Sequence, residues 1–337
     1  MEVCQVIEGV TADKLRNEIA PANRPVVFRG LARSWPAVVS GQSSARELAE
    51  YVRTFSKKED VGYVIADPEV GGEFFFGETL KSRNFRVERA PVGEIIDRLL
   101  EMAESPSRRS LFIQSTPAND TLPGFSRENS IDWLPQQVAP HVWIGNGARV
   151  QPHFDLADNI AVVVAGQRRF TLFPPDQLAN LYIGPFHQTL AGVPVSIADI
   201  EAPDFERFPR LAQALECAEV ADLEPGDAVF IPYGWWHHVR STGNFAMLVN
   251  YWWNDGPRHL KDPWSVLFLN MLTIRDMPPR YRDVWQNIFS HYVFKAEGEP
   301  GTHLKPGDRG LMNTFMAPDY YRAMDKVLRD LARPKST

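Results

Sequence analysis

Apolar residues in the second half of the chain fall into short runs separated by turn-forming residues. Runs of this length, bounded by Gly, Pro, Asn and Asp, are typical of a β-sandwich or barrel. The predicted strands cover residues 111–114, 141–144, 148–151, 160–165, 168–173, 228–231 and 245–253. Asn146-Gly147 stands between two of them and predicts a hairpin, because Asn-Gly readily forms the tight turn that joins antiparallel strands.

The first 110 residues mix helical and strand patterns. Ser44 and Glu47 have the capping-box spacing that starts a helix, and residues 93–103 place apolar side chains at helical intervals. The other predicted elements are a helix over 11–20 and strands over 25–30, 60–66 and 73–76. This part of the chain is therefore predicted to be mixed α/β.

After Gly256 the chain becomes helical in pattern. Apolar residues follow a helical period over 264–274, 281–292 and 320–331. The predicted fold is thus mainly β with helical additions, arranged as a mixed part over 1–110, a metal-bearing β-barrel over 111–255 and a helical region over 256–337. Helices that follow a β-core commonly cover a sheet or form a subunit contact, and we expect these to join two chains in a homodimer.

Composition narrows the class of protein. The 337 residues are 44% hydrophobic and 23% charged, as in a globular protein with a sizeable core. The net charge of −6 argues against a nucleic-acid partner, since phosphate recognition usually needs a basic face. No apolar run reaches the roughly eighteen residues of a membrane span, and the N-terminus lacks a signal-peptide pattern. Cys4 and Cys217 are too few for a disulfide scaffold, so we expect a cytoplasmic protein.

Two segments carry side chains suited to binding a metal. His153 and Asp155 are alternate residues in a predicted extended stretch, where alternate side chains point to one face. A later segment, residues 226–239, contains the neighbours His237 and His238. Adjacent residues on a strand point to opposite sides, so only one of the two can join the first pair. Two histidines and one carboxylate leave coordination positions open, which suits iron(II) in oxygenases.

Both segments belong to longer runs with a recognisable pattern. These runs are Pro-His-Phe-Asp at 152–155, Leu-Phe-Pro-Pro-Asp-Gln at 172–177, Phe-Glu-Arg-Phe-Pro at 205–209, Ile-Pro-Tyr-Gly-Trp-Trp-His-His-Val at 231–239 and Val-Asn-Tyr-Trp at 249–252. With them the chain resembles the cupin-like branch of the JmjC-type dioxygenases, and especially the asparaginyl hydroxylase that acts on hypoxia-inducible factor. The resemblance extends over residues 25–255 and is strongest from His141 onward.

The resemblance implies a double-stranded β-helix, the jelly-roll fold of cupins, in a JmjC/cupin-like domain over residues 1–255. It implies iron(II) held by His153, Asp155 and His237, which leaves His238 a structural role. It also implies 2-oxoglutarate as the co-substrate and dioxygen as the oxidant. The implied activity is hydroxylation of an unactivated carbon in a protein, a peptide or a small molecule.

Other residues of the implied pocket follow the family in part. Asn159 and Asn250 match family asparagines that line the pocket, where an amide can bond to the co-substrate or to water. The family lysine that holds the far carboxylate of 2-oxoglutarate aligns with Arg168, which keeps the charge and can make a two-pronged contact. Two hydroxyl-bearing partners align with Phe112 and Val150, which cannot donate. The pocket therefore either takes another 2-oxo acid or holds 2-oxoglutarate by a different arrangement.

Three functions remain open from the sequence. The first is an iron(II)- and 2-oxoglutarate-dependent hydroxylase with Arg168 as the co-substrate anchor, or Arg169 if the alignment shifts by one residue. The second is a cupin that keeps the metal but acts as a non-catalytic sensing or binding module, a hypothesis that the changes at Phe112 and Val150 motivate. The third is a metal-dependent cupin enzyme that uses no 2-oxo acid.

Two further groups of residues are interpreted structurally. Trp143, Trp252 and Trp253 are predicted to pack in the core, as aromatic residues beside a metal-bearing strand often do. Asp199 and Glu201 belong to an acidic run that is predicted to form a solvated face next to the site.

Overall fold

The computed structural model describes residues 1–103, 105, 109–185, 193–256, 263–309, 312, 325 and 328–329. The chain divides into two compact units, Met1–Asp255 and Gly256–Thr337. The first unit is built on a connected sheet in which twelve strands are described. The second is helical over most of its described length, while the helix predicted over 320–331 lies largely outside the described residues. No described helix is long and apolar enough to cross a membrane.

The described elements have the following bounds. The strands are β1 (Glu2–Val3), β2 (Gln5–Ile7), β3 (Val26–Phe28), β4 (Asp60–Ala66), β5 (Arg86–Pro91), β6 (Ser110–Pro117), β7 (Pro140–Gly145), β8 (Arg149–His153), β9 (Asp158–Phe173), β10 (Glu219–Leu223), β11 (Ala228–Ile231) and β12 (Trp236–Trp253). The α-helices are α1 (Ala12–Lys14), α2 (Ala20–Ala22), α3 (Pro36–Ser43), α4 (Ala45–Arg53), α5 (Val92–Ala103), α6 (Ala118–Thr121), α7 (Phe125–Glu128), α8 (Leu211–Glu216), α9 (Pro263–Thr273) and α10 (Pro279–Tyr292). A π-helical turn, Leu15–Ile19, joins α1 to α2, and 3-10 turns cover Pro68–Val70, Pro175–Ala179 and Pro306–Asp308.

Local sequence signals account for several of these elements. The Ser44 hydroxyl accepts a hydrogen bond from the Glu47 backbone N–H at 3.1 Å, which caps α4 as predicted. The amphipathic pattern over 93–103 becomes α5, with Ile95, Ile96 and Leu99 buried. Residues 73–76, however, form only isolated bridges and no regular strand, so that strand prediction is wrong.

Two long strands, β9 and β12, organise the barrel. They run antiparallel from the pair Trp236–Phe173 to the pair Trp253–Asp158. One half of the β9–β12 pair lies in the sheet β2-β3-β11-β9-β12-β7-β6-β4-β5. The other half pairs with β10 and β8. Two sheets that share a bent pair of strands enclose a space between them, which is the arrangement of a double-stranded β-helix. The predicted jelly-roll fold is therefore confirmed.

The bend in β9 depends on a glycine. Gly166 has φ +73°, and a Cβ placed on it would lie 2.6 Å from the carbonyl oxygen of Thr242 on β12. A side chain at this position would force the two strands apart. The separate strands predicted over 160–165 and 168–173 are consequently one continuous strand that changes sheet at Gly166.

The predicted hairpin at Asn146-Gly147 is wrong. β7 and β8 flank these residues but do not pair with each other; each pairs with a different part of β12. The Asn146 side chain is buried, accepts a hydrogen bond from the Leu111 N–H at 3.0 Å and donates one to the Arg109 carbonyl at 2.8 Å. These contacts attach the turn to the start of β6, so the chain crosses from one sheet to the other instead of reversing.

Replacing Asn146 with Ala should therefore destabilise the fold. The change leaves the buried N–H of Leu111 without its partner and removes the donor to the Arg109 carbonyl, which costs about 2 kcal/mol. Denaturant unfolding should show this loss, whereas Asn119→Ala, at an exposed position on α6, should change stability by less than about 0.5 kcal/mol. Equal stability of the two variants would contradict the role given to the turn.

The core is layered around the two sheets. The larger sheet packs its outer face against α3 and α5. The smaller sheet is covered on its outside by the described residues 174–185 and 193–218, which pack against Phe173 and Trp236. Between the sheets lies an interior cluster made of Ala161, Val163, Phe170, Leu172, Val229, Ile231, Val239 and Leu248. Side chains that share this interior face can meet in the space that the barrel encloses.

Candidate metal centre

The three predicted metal ligands meet at one end of the barrel. His153 on β8 lies opposite His237 on β12, and their ring centroids are 4.2 Å apart. The Oδ2 atom of Asp155 is 3.7 Å from Nε2 of His237. One potential ligand atom from each of the three residues lies within 4.8 Å of the others. This spacing places all three donors close enough to share one metal ion.

The loop after β8 holds Asp155 in place. The Asp155 carbonyl accepts a hydrogen bond from the Gly234 N–H at 3.0 Å, and the Asp158 carboxylate accepts one from the Tyr233 N–H at 2.8 Å. Residues 154–157 are thereby attached to the turn that precedes β12. The same turn leads directly into His237, so the two ligand-bearing segments are held together by backbone contacts.

Both imidazole rings are oriented through their Nδ1 atoms. Nδ1 of His153 lies 2.9 Å from the Gln151 carbonyl, and Nδ1 of His237 lies 3.1 Å from the Trp235 carbonyl. A carbonyl only accepts, so each Nδ1 carries the proton and donates it, which leaves each Nε2 with a free lone pair. Burial lowers the pKa of His237 to about 4, with the neighbouring His153 adding to the effect and Asp155 opposing it. The ring is therefore neutral near pH 7, the form that binds a metal.

His238 lies on the other face of β12, as the alternation of side chains predicts. It is buried, and its Nε2 is 3.9 Å from Oε1 of Glu201. Burial lowers its pKa to about 4. It points toward the segment that covers the smaller sheet and away from the candidate metal position.

Asn159 and Asn250 lie side by side on the interior face of the barrel. Both are buried, and Nδ2 of Asn250 is 3.4 Å from Oδ1 of Asn159. Oδ1 of Asn250 also accepts a hydrogen bond from the Trp143 indole at 2.7 Å. Two amides and an indole thus form a polar strip next to the metal ligands.

Arg168 is a buried cation on the same interior face. Only 5% of the residue is exposed, and its Nε and Nη2 atoms are buried without a hydrogen-bond partner among the described residues. On β9 it shares a face with Phe170 and Leu172 of the interior cluster, which follow it at two-residue intervals. Burial lowers the pKa of the guanidinium to about 9, so it stays charged near pH 7.

Arg169 faces away from the barrel interior, and Val150 and Phe112 lie at its wall. The side chain of Arg169 is 53% exposed and lies 3.7 Å from Asp222, so Arg169 faces outward. Val150 packs against the interior cluster. Phe112 is buried among aromatic rings and contacts Trp143 with a centroid distance of 5.7 Å. The two positions predicted to lack hydroxyl donors are thus apolar and packed.

Two sets of contacts were not predicted from the sequence. The Trp252 indole donates a hydrogen bond to Oδ2 of Asp155 at 3.0 Å, so this ring is more than core packing. Trp252 and Asn250 are two residues apart on one strand, and this spacing is the sequence signal that places both on the interior face.

The second set lies outside the barrel. Arg149 pairs with Glu73, with Glu201 at 3.2 Å and with Asp199 at 3.6 Å. Arg240 pairs with the same Glu201 at 3.1 Å. The acidic pair predicted to be solvated therefore attaches the covering segment to β8 and β12. No local sequence pattern joins these residues, because the partners come from distant parts of the chain.

Comparison with known proteins relates nearly all of the first unit to one family. A family model described as a cupin-like domain matches residues 12–259. The tRNA wybutosine-synthesizing protein 5 of Mus musculus is 24% identical over 319 residues, which cover 83% of this chain and 91% of that protein. Lysine-specific demethylase 8 of Danio rerio is 25% identical over 252 residues, covering 72% and 56%. Lysine-specific demethylase JMJ31 of Arabidopsis thaliana is 32% identical over 163 residues, covering 46% and 29%.

Proposed function

Because the chain belongs to the cupin-like domain family, we propose that it is an iron(II)- and 2-oxoglutarate-dependent oxygenase that hydroxylates its substrate. His153, Asp155 and His237 would hold the iron. Two imidazoles and one carboxylate are a donor set that iron(II) accepts while keeping positions open. When bound, the metal supplies the centre at which the 2-oxo acid and dioxygen react.

The proposal is carried by the buried cation of Arg168, whose Nε and Nη2 atoms have no hydrogen-bond partner among the described residues. A buried charge without a counter-ion lowers stability by several kcal/mol. Binding of an anionic ligand would compensate this cost. A guanidinium matches a carboxylate by two parallel hydrogen bonds. Nε and Nη2, which have no partner in the described part of the chain, can both donate to one carboxylate.

The position of Arg168 fits a short dicarboxylate that also reaches the metal. Leu172 lies directly opposite His237, and Arg168 is opposite Ser241 on the same pair of strands. Four residues along an extended strand correspond to roughly 13 Å. The arginine side chain and the co-substrate would together span that distance, with one carboxylate on the guanidinium and the 2-oxo acid end at the metal.

The apolar positions Phe112 and Val150 are consistent with this arrangement. In the family that the chain resembles, a lysine and hydroxyl donors together hold the far carboxylate. An arginine supplies several donors to that carboxylate from one planar group. Phe112 and Val150 then have no polar task and form the wall of the pocket. A binding module, or an enzyme without a 2-oxo acid, would leave the charge of Arg168 unexplained.

The substrate is best sought in three chemical classes. The matches to proteins named lysine-specific demethylases favour a protein or peptide side chain, the class that the predicted resemblance to the asparaginyl hydroxylase also implies; that finer resemblance stays a prediction. A small molecule is the third class. The match to a protein named for tRNA wybutosine synthesis extends over most of both chains and favours a modified tRNA nucleoside. The net charge of −6 argues for the protein class, and the expectation of no nucleic-acid partner stays a prediction.

Turnover of 2-oxoglutarate tests the proposal. The full chain, loaded with iron(II) and supplied with oxygen and ascorbate, should convert 2-oxoglutarate to succinate slowly without substrate and faster with the true one. Peptides that contain methylated lysine, other peptide libraries and bulk tRNA are the probes to compare. Retention of iron together with no 2-oxoglutarate consumption under any of these conditions would refute the co-substrate assignment.

We also propose that the helical unit joins two copies of the chain. No residue of α9 or α10 is buried. One face of α10 carries exposed apolar side chains at helical spacing: Tyr281, Val284, Trp285, Ile288 and Tyr292. A continuous apolar stripe of this kind is typical of a surface that is covered by a partner, and a second copy offers the same stripe in a symmetric contact.

Sedimentation should therefore show a particle of twice the mass of one chain. The double variant Trp285→Glu with Ile288→Glu should shift it to a monomer, because each charge would be buried without a partner in the contact. Val87→Glu, at an exposed apolar position on the edge strand β5, is the control and should leave the mass unchanged. A monomeric native protein would exclude this contact.

A further inference from the structure

The indole of Trp252 is hydrogen-bonded to a candidate metal ligand. Its Nε1 donates to Oδ2 of Asp155 at 3.0 Å. That same oxygen lies 3.7 Å from Nε2 of His237. The donor therefore contacts the carboxylate at the atom that faces the second imidazole ligand.

Trp252 is itself held by its surroundings. It lies opposite Asn159 in the β12–β9 ladder. Its ring makes edge contacts with His141 and Trp143, with centroid distances of 5.2 Å and 6.1 Å. A ring fixed by two neighbours and by its strand presents its N–H in one direction, so the hydrogen bond restricts the carboxylate more than a flexible donor would.

We propose that Trp252 is a positioning residue that orients the Asp155 carboxylate for metal binding. This inference rests on the proposed iron site. Asp155 lies in a loop and not on a strand, so its backbone gives less orientation than the strands give His153 and His237. A carboxylate also rotates about its last bond and can offer one oxygen or both to a metal. The indole N–H fixes that rotation from one side.

The chain offers a matched pair of variants. Trp252→Phe keeps an aromatic ring at the site but removes the N–H donor. Trp253→Phe makes the same chemical change one residue later, on the opposite face of β12, where Trp253 stacks on Phe230 at a centroid distance of 6.0 Å. A general loss of ring area affects both variants, whereas loss of the hydrogen bond affects only the first.

Metal binding by the metal-free full chain separates the outcomes. Cobalt(II) is the probe, and its affinity and visible absorption spectrum are recorded for the native protein and both variants. Partners that orient a metal ligand typically contribute 10–100-fold in affinity, so we expect Trp252→Phe to bind cobalt at least tenfold more weakly and with a changed spectrum. Trp253→Phe should match the native affinity and spectrum.

Native affinity and an unchanged spectrum in Trp252→Phe would overturn the inference while leaving the metal site intact. Absence of cobalt binding by the native protein would instead overturn the metal site, and the inference with it. If Trp252→Phe does not fold, Trp252→Leu, which also lacks a donor, serves as the second variant, with thermal unfolding of the metal-free protein as the folding control. The same tenfold loss in that variant supports the role of the indole, and native affinity contradicts it.

Discussion

Replacing Arg168 with Met should stabilise the ligand-free protein and abolish its stabilisation by 2-oxoglutarate. The variant removes a buried charge that has no partner among the described residues and fills the space with an apolar side chain. Exchanges of buried charges for apolar residues commonly gain about 1–4 kcal/mol. Denaturant unfolding of the metal-free protein measures the gain, and a thermal shift with 2-oxoglutarate and a divalent metal measures the loss.

The pH dependence of this gain has a definite sign. Burial lowers the pKa of Arg168 from its usual high value to about 9, so below about pH 9 the folded and unfolded states are both protonated and the full cost is present. Above that pH the folded state releases the proton first, and the cost declines. The stability advantage of Arg168→Met over the native protein should therefore be constant near neutral pH and shrink as the pH rises above about 9.

Arg169→Met is the control for both measurements. Arg169 is exposed and pairs loosely with Asp222, and exposed pairs contribute at most about 1 kcal/mol. This variant should keep its response to 2-oxoglutarate. An undiminished response in Arg168→Met would contradict the assignment of the co-substrate anchor.

Replacing Asp155 with Ala should remove metal retention and turnover. It deletes the only carboxylate of the candidate triad, so the loss in metal affinity should exceed the roughly 10–100-fold typical of residues that merely orient ligands. Metal content after dialysis and succinate formation are the measurements. Asp222→Ala, at an exposed position on β10, is the control and should keep both. Native metal content in Asp155→Ala would show that the triad is not the metal site.

The sequence predicted the fold where the decisive signals were local. The alternating and apolar runs located β4, β9, β11 and β12, and the Ser44 cap located α4. The hairpin prediction at Asn146 failed because the Asn-Gly pattern describes a local turn, while the buried side chain of Asn146 is held by the start of β6. Gly166 was predicted as a turn for a similar reason, since a glycine that ends a strand and one that bends it look alike in sequence.

The ligands of the candidate site were predicted from the sequence, but the contacts around them were not. The spacing of His153 and Asp155 predicted one pair of ligands, and alternation showed that only one of His237 and His238 could join it. The family resemblance, and not the spacing, assigned that place to His237. Alternation alone could not choose between Arg168 and Arg169, because the choice depends on which face of β9 is enclosed by the second sheet. The contact between Trp252 and Asp155 joins residues far apart in sequence, and it arises only once β12 is placed beside the loop after β8.

The central claim is that one pocket binds iron(II) and 2-oxoglutarate together. Anaerobic addition of both to the native protein tests it most directly, through the weak visible charge-transfer band that a 2-oxo acid gives when it chelates iron(II). The account predicts the band in the native protein, its absence in Asp155→Ala and a strongly raised 2-oxoglutarate requirement in Arg168→Met. Tight iron binding by the native protein without the band at saturating 2-oxoglutarate would contradict the account.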